Sequence, residues 1–166
     1  MRVLLVFLLG LSLAGGELVD KCDLRNRLMT ALSSITDGTE PGRLGVENIV
    51  AKIVCHVSQT SHYDTSVVNS PPSSSHLKEK FYGLFQLTGE VVCSEGDKDP
   101  SHTLCEMNCS GLCDRDITDD IDCILKILKK MIKDGYKSDP KFLKMIQSIL
   151  GDCRDGQVSN YFSDCP

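Results

Sequence analysis

Between Asp20 and Ile35 the apolar residues Leu24, Leu28, Leu32 and Ile35 recur at steps of four, four and three, the repeat of one stripe on an amphipathic helix. The turn pairs Asp37-Gly38 and Pro41-Gly42 predict its end. A second stripe of Val46, Ile49, Val50, Ile53, Val54 and Val57 carries Cys55 and gives way to the polar run Ser58 to His62. Asn69 to Ser75, with two prolines and four serines, predicts a loop, and too little sequence precedes it for a full core. Phe81 to Val92 alternates loosely around Gly83 and Gly89, which fits short strands and turns. The clearest helix spans Asp119 to Asp134, with Ile121, Ile124, Leu125, Leu128, Met131 and Ile132 expected inward. Aspartates open it, Lys129, Lys130 and Lys133 lie near its end, and Gly135 is its stop. Pro140 to Leu150 predicts a shorter helix, with proline in the first turn and Gly151 behind it. No internal repeat is visible.

A chain of 166 residues suits one domain, on a prior of roughly 100 to 200 residues each. Met1 to Gly16 has a charged Arg2, an apolar run Val3 to Leu13 and small residues Ala14 to Gly16, the layout of a secretory signal peptide. The expected mature domain is therefore 17–166. The apolar run is too short to cross a bilayer, which takes about 20 residues. A secreted, extracellular protein without a membrane span is the expectation. Nine cysteines then predict disulfides rather than zinc, with one thiol left over. A net charge of −5 argues against a nucleic-acid partner. Tryptophan is absent and aromatics make up 5%, which weighs against a sugar-stacking cleft.

The sharpest local feature is acidic. Asp114, Asp116, Asp119, Asp120 and Asp122 place five carboxylates within nine residues where a helix begins. A hard cation such as calcium gathers six to eight oxygens, and a loop turning into a helix can supply them. The order is not an EF-hand: counting from Asp114, position six is Asp119 instead of glycine and position twelve is Leu125 instead of glutamate. The other reading is an acidic helix start that complements the helix dipole. Composition alone leaves both open.

Cys93, Cys105, Cys109 and Cys123 stand twelve, four and fourteen residues apart, and Cys153 and Cys165 twelve apart. With the segments Thr60 to Thr65 and Tyr82 to Leu87 and the Asp-rich stretch, this frame resembles the C-type lysozymes and alpha-lactalbumins. The match runs from Glu17 to the end. Its larger insertions fall between Cys22 and Cys55 and between Cys123 and Cys153, in expected connections. The resemblance implies the pairs Cys22 with Cys165, Cys55 with Cys153, Cys93 with Cys109 and Cys105 with Cys123, each worth roughly 2 to 4 kcal/mol. It implies an α+β lysozyme-like fold with a helical lobe and a small β region from about Asp64 to Cys109. It also implies a calcium ion held by the side chains of Asp114, Asp119 and Asp120 and the backbone carbonyls of Gly111 and Asp116. Lysine is usual at the position of Gly111 in alpha-lactalbumin, but a carbonyl ligand tolerates the change.

The resemblance weakens the enzyme reading. Family enzymes cut a glycosidic bond with two carboxyl groups; alignment places Thr60 and Phe81 there, and neither does that chemistry. No catalytic residue is assigned. Val91 and Val92 stand at the cleft tryptophans, and Asp64 and Glu79 lie nearby in sequence as a candidate replacement pair, more simply read as solvated surface. Alpha-lactalbumin binds a galactosyltransferase partly through a Phe-His pair, matched here by Ser58 and Gln59, so that partner surface is not carried over and the protein partner is unknown. His56 and His62 are expected at the surface. Lys126, Lys129, Lys130 and Lys133 form a stripe expected to face solvent or, less simply, acidic membranes. Asn108-Cys109-Ser110 fits the N-glycosylation pattern, with its middle residue in an expected disulfide. Cys113 is the unpaired ninth cysteine, inside the proposed ion loop; a monomer is expected, with a Cys113-linked dimer as the other possibility, and coupling of thiol state to calcium is testable by labelling with and without the ion.

The reading that follows is a secreted, calcium-binding, non-catalytic member of this family. An active muramidase cutting bacterial cell walls is the first rival. A lipid-binding disulfide protein or calcium-dependent phospholipase is the second, and it lacks the adjacent cysteines and the His-Asp dyad it would need.

Overall fold

The computed structural model describes residues 16–36, 40–71 and 79–166. The expected signal peptide up to Gly15, the turn pair Asp37-Gly38 and most of the Pro/Ser-rich loop lie outside them.

Helix α1 (Lys21–Leu32) begins where the Asp20 carboxylate accepts the N–H of Asp23, and it buries Leu24, Leu28 and Leu32, three of the four stripe residues. Its last turn tightens into a 3-10 turn, Ser33–Ile35. Helix α2 (Glu40–Thr60) starts earlier than the apolar stripe suggests, and Pro41-Gly42 lies inside its first turn instead of ending α1. Proline is tolerated there because the first N–H groups of a helix have no intrahelical partner. The α2 helix packs against α1, against α4 (Pro140–Gly151) and against the short α5 (Asp155–Val158), so its buried residues, from Val50 through Ala51, Ile53, Val54, His56 and Val57, exceed a single stripe.

Helix α3 (Thr118–Asp134) closes at Gly135, whose φ of +52° suits glycine. It buries Ile121, Ile124, Ile127 and Leu128, and Met131 packs against the same core. Two expected core residues move: Leu125 is only half-buried and Ile132 is 64% exposed. They are seven residues apart and share one flank of the stripe, whereas Ile127 lies on the side that faces the core. Helix α4 is started by Asp139, which accepts the N–H of Lys141 at 2.7 Å, and it buries Phe142, Met145 and Ile149. The stretches Cys22 to Cys55 and Cys123 to Cys153 are mostly helix among the described residues, as the four apolar stripes predict. The four-residue α5 was not foreseen.

The β region is small. Strands β1 (Val68–Asn69), β2 (Phe81–Tyr82) and β3 (Leu87–Thr88) form an antiparallel sheet in which Asn69 faces Phe81 and Phe81 faces Thr88. A parallel pair, β4 (Cys93–Ser94) with β5 (Met107–Asn108), follows. Four disulfides fasten these parts: Cys22–Cys165, Cys55–Cys153, Cys93–Cys109 and Cys105–Cys123. The first ties the start of α1 to the chain end, 143 residues away. The last ties the β region to α3. Gly83, at φ +75°, sits so close to the carbonyl of Leu112 that any Cβ would overlap it. This seats the sheet against the acidic loop.

Candidate functional site

The acidic loop is held between two fixed points. On one side, Cys105–Cys123 and the start of α3 anchor it; on the other, a 3-10 turn Cys109–Leu112 leads into it from β5. Asp114, Asp119 and Asp120 each present a carboxylate oxygen within 4.8 Å of the others, the one such cluster of metal-ligating side chains among the described residues. Asp120 is 1% exposed, and neither of its carboxylate oxygens meets a hydrogen-bond partner. Burial, then the Asp119 carboxylate, then Asp114, push its pKa up to about 9. Asp114 is also held above the ordinary carboxylate range, by desolvation first and then by Asp119 and Asp116. Asp119 turns one oxygen to the N–H of Asp120 at 3.0 Å.

Asp116 behaves differently. Its side chain accepts the N–H of Thr118 at 2.9 Å, which holds its pKa below the usual value. At Gly111 a Cβ would meet the flexible end of Met107 and lie 3.5 Å from an Asp119 oxygen, so the position borders the cluster. The three carboxylates, all hard oxygen donors and one of them buried without a partner, fit a hard cation of the calcium type. In the metal-free state the alternative is a retained proton, which the raised pKa of Asp120 describes.

Cys113 is free and half-buried within this loop. Burial raises its thiol pKa, with the Asp120 carboxylate adding to the effect and a hydrogen bond with the Gly83 backbone opposing it. All eight other cysteines are in the four disulfides.

The positions aligned with the family's catalytic carboxyls lie elsewhere. Thr60 ends α2 and donates its hydroxyl to the carbonyl of His56 at 2.8 Å. Phe81, half-buried on β2, lines a cavity of 110 Å³ with Glu79, Gln86, Thr88, Lys144 and Met145. Asp64 is not in that lining; its carboxylate accepts the N–H and hydroxyl of Ser66. Of the two replacement carboxylates only Glu79 lines this cavity. Val92 is fully buried, and Val91 lines a 530 Å³ hollow beside Glu90, His102, Lys130 and Phe142, which shares Lys141 with the cavity beside Phe81. Ser58 and Gln59 both turn back to Cys55, the serine to its carbonyl at 2.7 Å and the glutamine to its sulfur at 3.8 Å.

The family model of the C-type lysozyme/alpha-lactalbumin family matches residues 18–151. The chain belongs to this family. Alpha-lactalbumin of Ovis aries is 36% identical over 78 residues, 47% of this chain and 51% of that protein, so the chain spans about half the length of the alpha-lactalbumins it matches. The milk isozyme of lysozyme C from Equus caballus is 28% identical over 116 residues, covering 70% of this chain and 80% of that one. Among solved structures, a calcium-binding lysozyme from equine milk superposes with a TM-score of 0.59 at 26% identity, over 90% of this chain and 98% of that one. Apo canine milk lysozyme gives 0.60 at 23%, over 90% and 99%, a likeness of fold. The lysozyme/alpha-lactalbumin family thus contains glycosidases and a non-catalytic branch, and the lysozyme-like fold with its four disulfides is common ground.

One polar pair escaped the sequence reading and corrects it, since a His-Asp pair is present after all, with its histidine buried. His62 is exposed as expected, but His56 is 1% exposed. Its Nδ1 lies 2.8 Å from an Asp152 carboxylate oxygen and its Nε2 3.0 Å from the carbonyl of Phe85. It is buried because α4 covers the side of α2 that the apolar stripe leaves polar. Both histidine neighbours are acceptors, so the ring joins α2, the end of α4 and the β2–β3 turn. The signal was available: His56 follows Cys55 and Asp152 precedes Cys153, so the implied disulfide brings the two together. Asp152→Ala is expected to leave the buried ring without its carboxylate and to lower unfolding stability by about 2 kcal/mol, read from urea midpoints.

Proposed function

We propose that this chain is a secreted, calcium-stabilised, non-catalytic protein of the lysozyme/alpha-lactalbumin family, acting through its structure or through a protein partner. The observation that carries the reading is Asp120: a buried carboxylate with both oxygens unpartnered, beside two more carboxylates. In this reading the side chains of Asp114, Asp119 and Asp120 and the carbonyls of Gly111 and Asp116 hold the ion. Calcium would supply the positive charge that lets the three carboxylates ionise together. Because the ion binds only the folded loop, its binding energy adds to folding stability.

Absence of catalysis is supported by the residues at the aligned positions, Thr60 and Phe81, neither of which carries a carboxyl group. Secretion is supported by the leader-like residues 1–16 and by four disulfides. Among the described residues no helix is long and apolar enough to cross a membrane.

The test is a calorimetric calcium titration of the mature chain beside an Asp119→Ala, Asp120→Ala double variant. Tight binding that the variant loses supports the reading; heats indistinguishable from buffer defeat it. Thiol labelling of Cys113 with and without calcium accompanies it. Identical labelling in both states would separate the thiol from the ion.

A further inference from the structure

The chain has one Asn-x-Ser/Thr sequence, Asn108-Cys109-Ser110, and the ion site leaves it unused. Asn108 ends β5 and Ser110 lies in the 3-10 turn behind it; both are exposed, while Cys109 between them is buried and bonded to Cys93. The Asn108 Oδ1 accepts the hydroxyl of Ser94 at 3.0 Å. Ser94 is itself buried. That bond holds the amide by its oxygen, so a substituent on Nδ2 leaves the Ser94 bond intact while the residue itself is exposed.

We infer that Asn108 is an N-glycosylation site whose occupancy is set by a race with closure of the Cys93–Cys109 disulfide. The inference rests on the proposal that the chain is secreted. The donor is an oligosaccharide linked to a lipid through pyrophosphate. Asn108 Nδ2 forms a bond to C1 of the first sugar, the C1–O bond to pyrophosphate breaks with its electron pair on the leaving lipid pyrophosphate, and the amide gives up one proton to a base of the transferase. No redox change occurs in this step. The transferase needs Asn108 and Ser110 in a free, extended stretch. Cys93 precedes Cys109 by 16 residues, so it is already in the oxidising compartment when Cys109 arrives, and the bridge buries the middle of the acceptor sequence once it closes. Glycan addition after closure is thus disfavoured, while addition before closure costs the fold nothing on the Ser94 side.

The full chain with its own leader is expressed in a eukaryotic secretory cell, recovered from the medium, and compared before and after peptide N-glycosidase. Recovery from the medium reads secretion separately, so a failure of secretion is not mistaken for a failure of glycosylation. The wild type is expected as two bands, the heavier one collapsing on enzyme treatment with conversion of Asn108 to aspartate in the reduced peptide. Ser110→Ala, which leaves the Ser94–Asn108 bond in place, is expected to abolish the heavier band. Cys93→Ser is expected to drive the whole population into it, scored on total cell protein because glycan addition precedes folding. No heavier band in the wild type, or one that survives Ser110→Ala, overturns the site. Equal occupancy in the wild type and Cys93→Ser overturns the race.

Discussion

Asp120→Asn is expected to weaken calcium binding by more than the roughly 100-fold that loss of an outer partner of a metal ligand costs, and at the same time to raise the stability of the calcium-free fold at pH 8. The two effects have one cause. Asp120 is buried without a partner, and burial with Asp119 and Asp114 nearby lifts its pKa to about 9. A carboxyl raised in the fold binds its proton more tightly than it does in the unfolded chain, where it titrates near 3.9. As pH rises from about 4 towards 9, the unfolded state loses this proton first and gains relative to the fold, so the calcium-free protein loses stability across that window. In the proposed site, calcium would take the proton's place and reverse the trend. The melting temperature gap between calcium-loaded and chelated protein should therefore widen from pH 5 to pH 8, with proton release on binding visible as a dependence of the titration heat on buffer ionisation. Asparagine keeps the shape and removes the charge, which closes the gap. A gap unchanged in Asp120→Asn would remove this residue from the site.

How much of this was legible in the residues depends on the range of the interaction. The α1 stripe, the stop at Gly135 and the start of α4 at Asp139-Pro140 are local, and each was readable from spacing and capping chemistry. The acidic loop was also local as a cluster, five carboxylates within nine residues, although composition alone left a cation and an acidic helix start both open. Which carboxylate bears most of the burden was not readable: Asp120 is singled out by its burial in the fold, which no spacing announces. The α2 boundary was missed because the turn signal of Pro41-Gly42 outweighed the possibility of proline in a helix's first turn. Ile132 was misassigned because a helix drifts by about 20° per heptad, enough to carry the flank shared with Leu125 out of the core. His56 was misread because burial on α2 comes from α4, about ninety residues away. The disulfide pairing came from the resemblance, since spacing alone leaves many connectivities open.

No clearing of bacterial cell walls is expected from the wild type, at least about 10⁴-fold below the equine milk lysozyme under the same conditions, because a positioned general acid alone contributes about 10² to 10⁴ and the second carboxyl is missing as well. At the end of α2 the Thr60 hydroxyl is already donated to the helix backbone, and a hydroxyl has no proton of the required acidity. Phe81 offers neither charge nor nucleophile to an oxocarbenium-like centre. Thr60→Glu alone is expected to restore nothing, since the second position stays apolar. The double replacement Thr60→Glu, Phe81→Asp tests whether the lining is a second barrier: silence in a folded, calcium-binding double variant places the obstacle in the lining around Lys144 and Met145, whereas lysis places it in the two lost carboxyls alone. Turbidity of a cell-wall suspension reads all three proteins. Clearing by the wild type would defeat the non-catalytic reading, and its loss in Glu79→Gln would then identify Glu79, the carboxylate that lines the cavity with Phe81, as the group that had taken over the acid's work.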